Sequence, residues 1–320
     1  MFQHLRSEFD KREQEIDEYS SRVDSPIPRI PRSVEIPDDI RQQFASVPIK
    51  PALIAELKTS GSLDAIKFSP TNPNFLVSMV GYWSKEGDNI MLWDVRNPTT
   101  PLATFHGESF SFSPDGDILA ILNSGADNVI KLWDITDGKY ISDVRVYGRD
   151  LAFSPNRIHL AVSSFGLEFI DVSNPKMPVE AFKYENNTLD ENLTFSADGK
   201  LLATEESRND RVNIWEIYEN QIIKKHHIDV IEGKKVGWIE TIKFSPNPQT
   251  PILAVADNDE DIRLYYPPDW QNYKVIPAGN IKDFVFTKDG NTLITGGLSE
   301  MAFWSVDSGH LQASIDGYSG

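Results

Sequence analysis

Alternating apolar and polar residues that end in Phe followed by Ser or Thr occur six times along this chain, anchored at Phe68, Phe112, Phe153, Phe195, Phe244 and Phe286. The intervals are 44, 41, 42, 49 and 42 residues. Alternation with a period of two is the pattern of a half-buried strand, as in Ala65-Ile66-Lys67-Phe68. A tight turn follows each anchor. Pro70, Pro114, Pro155 and Pro246 preset φ for a reversal, and the pairs Asp115-Gly116, Asp198-Gly199 and Asp289-Gly290 supply a residue that tolerates positive φ. A nearly continuous apolar run comes next (Ile118 to Leu122, Leu201 to Thr204, Ile252 to Ala256, Leu293 to Thr295), which suits a strand buried on both faces. A third run, Ile90 to Asp94, Ile130 to Asp134, Leu167 to Asp171, Val212 to Glu216, Ile262 to Tyr266 and Met301 to Ser305, places Trp or another large side chain at nearly the same offset.

A period in the forties with several short strands per unit predicts a β-propeller, because such units bury their faces only by stacking on one another. The predicted fold class is all-β. Outer strands are predicted at Leu53 to Leu57, Leu102 to Phe105, Tyr140 to Val146, Val179 to Phe182, Gln221 to His226, Tyr273 to Ile276 and Leu311 to Ile315, seven in all against six inner sets. In the usual closure the N-terminal outer strand joins the inner strands of the last repeat, yet the sequence reaches Gly320 where a seventh inner strand would start. Two arrangements satisfy that count: six blades with one outer strand to spare, or seven with an incomplete last blade. An incomplete blade leaves an edge open to strands from a partner or from the N-terminal arm, since unpaired sheet edges invite β-augmentation.

The phrase Phe112-Ser113-Pro114-Asp115-Gly116 with Ile118-Leu119-Ala120, followed by Val129-Ile130-Lys131-Leu132-Trp133-Asp134, resembles the WD-repeat family from about residue 53 onward. That resemblance implies a ring of four-stranded blades, strand a nearest the axis and strand d outermost, used as a platform for other proteins. It also implies a buried hydrogen-bond set of a Gly-His before strand a, a Ser or Thr in strand b, an Asp in the b-to-c turn and the Trp of strand c. Asp127 and Trp133 keep their places and His106 lies near the expected His, whereas Ile170 and Tyr265 stand in the Trp place of the third and fifth repeats. The repeats therefore resemble degenerate members of the family whose stability rests on packing, and the pairs Asn97-Pro98 and Asn174-Pro175 resemble bacterial relatives.

Two domains are predicted, 1–50 and 51–320. In the first, Phe2, Leu5, Phe9, Ile16, Tyr19 and Val23 follow a three-four spacing interrupted by Arg12, the stripe of an amphipathic helix. Pro26, Pro28, Pro31 and Pro37 then enforce an extended segment, and a short second helix carries Ile40 and Phe44. Such an arm either packs against the propeller or offers Phe2, Leu5, Phe9, Ile16 and Tyr19 to a partner.

Composition narrows the function classes. With 31 Lys and Arg against 48 Asp and Glu, the formal charge of −17 argues against direct nucleic-acid binding, which draws on clustered cations. The short runs Lys224-Lys225 and Lys234-Lys235 read as solvated edge and loop lysines. The absence of cysteine excludes disulfides and thiolate metal sites. No apolar run reaches the roughly 20 residues of a membrane span, and the charged N-terminus has no secretory core, so the expected location is cytoplasmic, away from membranes.

Candidate binding residues cluster before strand a. Every repeat carries an acid three or four residues ahead of its Phe: Asp64, Glu108, Asp150, Glu191, Glu240 and Asp283. In a propeller these encircle the axis. The loops of the same face carry Tyr82, Trp83, Tyr147 and Trp238, amphipathic aromatics of the kind enriched at binding hot spots. An acidic rim with aromatic anchors suits a basic partner protein, and the reading is a non-catalytic interaction scaffold, without cofactor or metal, that is a subunit of a larger complex. The alternative is a metal-dependent propeller hydrolase or lactonase in which channel carboxylates hold a hard cation such as Ca²⁺. The six histidines occupy unrelated places in the repeat, and Asp257-Asn258-Asp259-Glu260-Asp261 lacks the Gly and distant Glu of an EF-hand loop and reads as a solvated turn.

Overall fold

The computed structural model describes residues 57, 63–81, 89–123, 128–185, 190–206, 211–218, 221–229, 239–257, 261–279, 281–297 and 300–316. The chain divides between Ile49 and Lys50, and every described residue belongs to the second unit. The predicted helical arm lies outside the described residues, as does the outer-strand candidate Leu53 to Leu57 apart from Leu57 itself.

Among the described residues there are twenty-four strands, β1 to β24 in chain order, in six antiparallel sheets of four consecutive strands. Blade 1 comprises β1 (Leu63–Phe68), β2 (Phe75–Val80), β3 (Ile90–Asp94) and β4 (Ala103–Phe105). The innermost strands of blades 2 to 6 are β5 (Ser109–Phe112), β9 (Asp150–Phe153), β13 (Asp190–Phe195), β17 (Ile239–Phe244) and β21 (Ile281–Phe286). Each blade owns its outer strand, the last being β24 (Leu311–Asp316), which is the six-blade arrangement of the two that the strand count left open. The fold is a six-bladed propeller.

The a-to-b corners show why Phe-Ser-Pro-Asp-Gly repeats. Ser113 Oγ donates to Asp115 Oδ1 at 2.5 Å and accepts the Ile118 amide at 2.9 Å, which closes the corner, while Gly116 adopts φ +73°. Ser196, Asp198 and Leu201 repeat the arrangement, as do Thr287, Asp289 and Thr292. In blade 3 Arg157 takes the positive-φ place at +63° and its guanidinium pairs with Asp115 of blade 2. Strands b of blades 2 and 5 are buried, as their unbroken apolar runs predict: Ile118–Leu122 and Leu253–Asp257 have no exposed residue.

The buried Trp bonds are distributed differently from the expectation. Trp93 Nε1 donates to Ser78 Oγ at 2.8 Å, Trp215 to Thr204 at 3.0 Å and Trp304 to Thr295 at 3.1 Å. Three blades thus keep the Trp-to-hydroxyl half of the set and do not rest on packing alone. Blade 2, whose sequence is nearest the family pattern, lacks it: the residue two beyond the cross-strand partner Leu119 of Trp133 is Ile121, and Trp133 Nε1 is buried without an acceptor. Trp133 is held by rings instead, 4.9 Å from Phe105 and 5.6 Å from Tyr140. A second correction concerns Asp257, which ends β18 (Leu253–Asp257) almost fully buried and ion-paired with Arg263 rather than standing in a solvated turn.

Two measurements check these local arguments. Thr295→Val keeps the side-chain shape and removes the acceptor of Trp304, so urea unfolding is expected to lose roughly 1–3 kcal/mol, the cost of a buried unsatisfied donor. Asp115 lies below its ordinary value of 3.8: burial opposes the shift, but hydrogen bonds from Ser113 and the Asp117 amide and the charge of Arg157 outweigh it. A carboxyl depressed in the folded state adds stability above its unfolded value and loses it as pH falls through the folded one, so the acid limb of stability is expected below about pH 4 and to be shallower in Asp115→Asn.

Candidate functional site

The inner strands line a channel of about 1290 Å³. All six acids singled out by their offset from the anchor Phe reach its wall: Asp64, Glu108, Asp150, Glu191, Glu240 and Asp283. Backbone irregularities help to aim them. The register of β1 on β2 slips between Leu63 and Ala65, and that of β17 on β18 between Ile239 and Thr241, so Asp64 and Glu240 are the extra residues of β-bulges. A bulge re-aims its side chain out of the strict alternation. No sequence signal marked these bulges, because the alternation of neighbouring residues survives on either side of them.

The ring is chemically uneven. Glu108, Asp150 and Glu191 of blades 2 to 4 are partly buried, whereas Asp64, Glu240 and Asp283 of blades 1, 5 and 6 are exposed. Asp150 holds three blades together: Oδ1 accepts from Ser109 Oγ of blade 2 at 2.6 Å and Oδ2 from the Leu193 amide of blade 4 at 3.0 Å. Glu191 pairs with Arg149 at 2.8 Å. Burial pushes the Glu108 carboxyl up, with the charges of His106 and Arg149 opposing. Lys243 Nζ lies 2.5 Å from both Asp283 Oδ1 and the Phe284 carbonyl and over the Phe284 ring at 5.3 Å, and Lys67 lies over Phe110 at 5.4 Å. Burial lowers the Lys243 ammonium; Asp283 opposes that shift and Lys67 adds to it. Several of these carboxylates therefore serve as staples between neighbouring inner strands, a role their spacing does not announce.

Tyr147 lines the same channel and is stacked on Phe165, ring centroids 6.2 Å apart and planes 7° from parallel, with both rings substantially exposed. Phe165 was not among the sequence candidates. Its signal is a large apolar residue at the turn between β10 (His159–Ser164) and β11 (Gly166–Asp171), where polar residues are the norm. Tyr82, Trp83 and Trp238 lie outside the described residues. Among the described residues no three His, Asp or Glu side chains are placed to share a metal ion, and no helix is long and apolar enough to cross a membrane.

The family model for the WD domain, G-beta repeat, matches residues 99–134, which run from the outer strand of blade 1 through the third strand of blade 2. The chain is a β-propeller that carries a WD repeat. This propeller is 31% identical over 156 residues to small ribosomal subunit protein RACK1y of Oryza sativa subsp. japonica, covering 45% of this chain and 44% of that protein. It is also 31% identical over 118 residues to small ribosomal subunit protein RACK1 of Candida albicans, covering 33% and 36%. The matched stretch thus spans less than half the length of these curated relatives. The β-propeller domain of Myceliophteria thermophila Cps50 (Swd1) superposes with a TM-score of 0.61 at 18% identity, over 82% of this chain and 88% of that one, a likeness of fold.

The division of the WD-repeat channel acids into staples and exposed groups is measurable. Asp150→Ala strands the Leu193 amide and the Ser109 hydroxyl and is expected to cost about 2 kcal/mol in urea unfolding. Asp64→Ala, at an exposed bulge, is expected to change stability by less than about 0.5 kcal/mol.

Proposed function

We propose that this WD-repeat propeller is a non-catalytic protein-interaction scaffold, a subunit of a larger assembly, and that its channel mouth receives a basic face of a partner. The observation that carries this reading is the convergence of exposed Asp64, Glu240 and Asp283 on one opening. Clustered carboxylates of one sign steer and orient cationic partners more than they add affinity. The stacked and exposed Tyr147 and Phe165 supply amphipathic area beside it. Protein is the proposed ligand rather than nucleic acid because the chain carries a formal charge of −17. Two similar proteins are themselves named as components of the small ribosomal subunit, which supports membership in an assembly.

The test is titration of the full chain with a fluorescent Lys/Arg-rich dodecapeptide. The double variant Asp64→Lys with Glu240→Lys is expected to weaken binding at least tenfold, about 1.4 kcal/mol, with Tm unchanged. Binding is also expected to weaken as salt rises. Equal affinity in variant and parent would reject the mouth as the contact site.

A further inference from the structure

Most aromatic pairs of this propeller serve its packing. Trp133 meets Phe105 and Tyr140 at 56° and 73°, and Tyr184 meets Trp215 at 66°. Among the described residues one further pair is close to parallel, Phe169 and Phe182 at 15°; its centroids are 4.4 Å apart and Phe169 is fully buried. Tyr147 and Phe165 differ in both respects. Their planes lie within 7° at a wider centroid distance of 6.2 Å, and the two residues are 47% and 57% exposed.

Burial therefore does not account for this pair, whose surroundings along the chain, residues 128–185, are described without a break. Each ring is placed by a short connection between strands. Tyr147 lies between the outer strand β8 (Lys139–Arg145) and the inner strand β9, and Phe165 fills the turn from β10 to β11, which Gly166 completes at φ +132°. The electrostatic setting is equally defined. Tyr147 lines the channel that all six carboxylates line, and the neighbouring cation Arg149 is offset by Glu191 at 2.8 Å. A cation beside Tyr147 thus lies in a net negative field, and the negative faces of the rings attract it further.

We propose that Tyr147 and Phe165 are a subsite for one arginine side chain of the basic partner, its guanidinium stacked on the exposed ring faces. The subsite rests on the reading of the channel mouth as the contact for a basic protein, and it names the residue that contact selects. Two rings held nearly parallel offer one flat orientation. A guanidinium is planar, delocalised and weakly hydrated, so it can lie on a ring face, whereas a lysine ammonium is a compact, strongly hydrated charge with no plane to match. The carboxylates attract either cation; the ring pair separates them.

The test uses two fluorescent dodecapeptides identical except that every cation is arginine in one and lysine in the other. The full chain is expected to bind the arginine peptide about fivefold more tightly, the discrimination of a cation–π contact at a partly exposed site. The double variant Tyr147→Leu with Phe165→Leu keeps apolar bulk and removes both rings. It is expected to lose the preference, with binding of the lysine peptide and Tm unchanged. Asp64→Lys with Glu240→Lys is expected instead to weaken both peptides alike. Where charge reversal does weaken both, equal affinity of the parent for the two peptides, a preference that survives in the leucine variant, or an equal loss of both peptides in that variant would overturn the subsite and leave the mouth standing. Binding that charge reversal does not weaken would overturn the mouth and the subsite together.

Discussion

A sheet that is apolar on both faces has no stable existence alone, and every blade here is such a sheet. Burying large aliphatic and aromatic side chains yields about 1.5–3 kcal/mol each, and the clusters at the five closed seams gather most of the fully buried side chains. The repeat architecture is the consequence: each blade exists because its neighbours cover it. Regular Phe anchors and strand-c aromatics recur because each presents the same complement to the next sheet.

Polar groups are recruited into that packing rather than set apart from it. Asp150 accepts from blades 2 and 4, Lys243 reaches Asp283 of blade 6, and Ser111 accepts the Phe153 amide across the seam at 3.2 Å. An acidic ring around a channel thus mixes two physical roles. The acids of blades 2 to 4 are partly buried and bonded, while Asp64 and Glu240 ride on bulges that turn them toward water. An interaction surface assembled from the second group leaves the first free to hold the inner strands in place.

Much of the fold was legible because period-two alternation, Asp-Gly turns and fixed offsets are local properties. Six of the seven outer-strand candidates coincide with strands, and all six pre-strand acids reach one channel. The hydrogen-bonding pattern was legible only in part. Trp133 looked best supported and lacks an acceptor, since Ile121 occupies the place that Ser78, Thr204 and Thr295 fill elsewhere, and that place is defined by cross-strand register rather than by spacing along the chain. Asp257 looked solvated within an acidic run, yet Arg263, six residues on, pairs with it in the interior.

The sequence alone determined the repeat, the strand order within each blade, the corner chemistry and the convergence of carboxylates on an axis, because each follows from the alternation and turn preferences of neighbouring residues. Only the tertiary structure decided that Phe68 differs from the other five anchors, that some acids are staples and others exposed, and that Phe165 stacks on Tyr147. The physical reason is that burial and pairing belong to what lies opposite a side chain. Identical local motifs meet a shared apolar cluster at five seams, whereas Phe68 at the sixth is exposed.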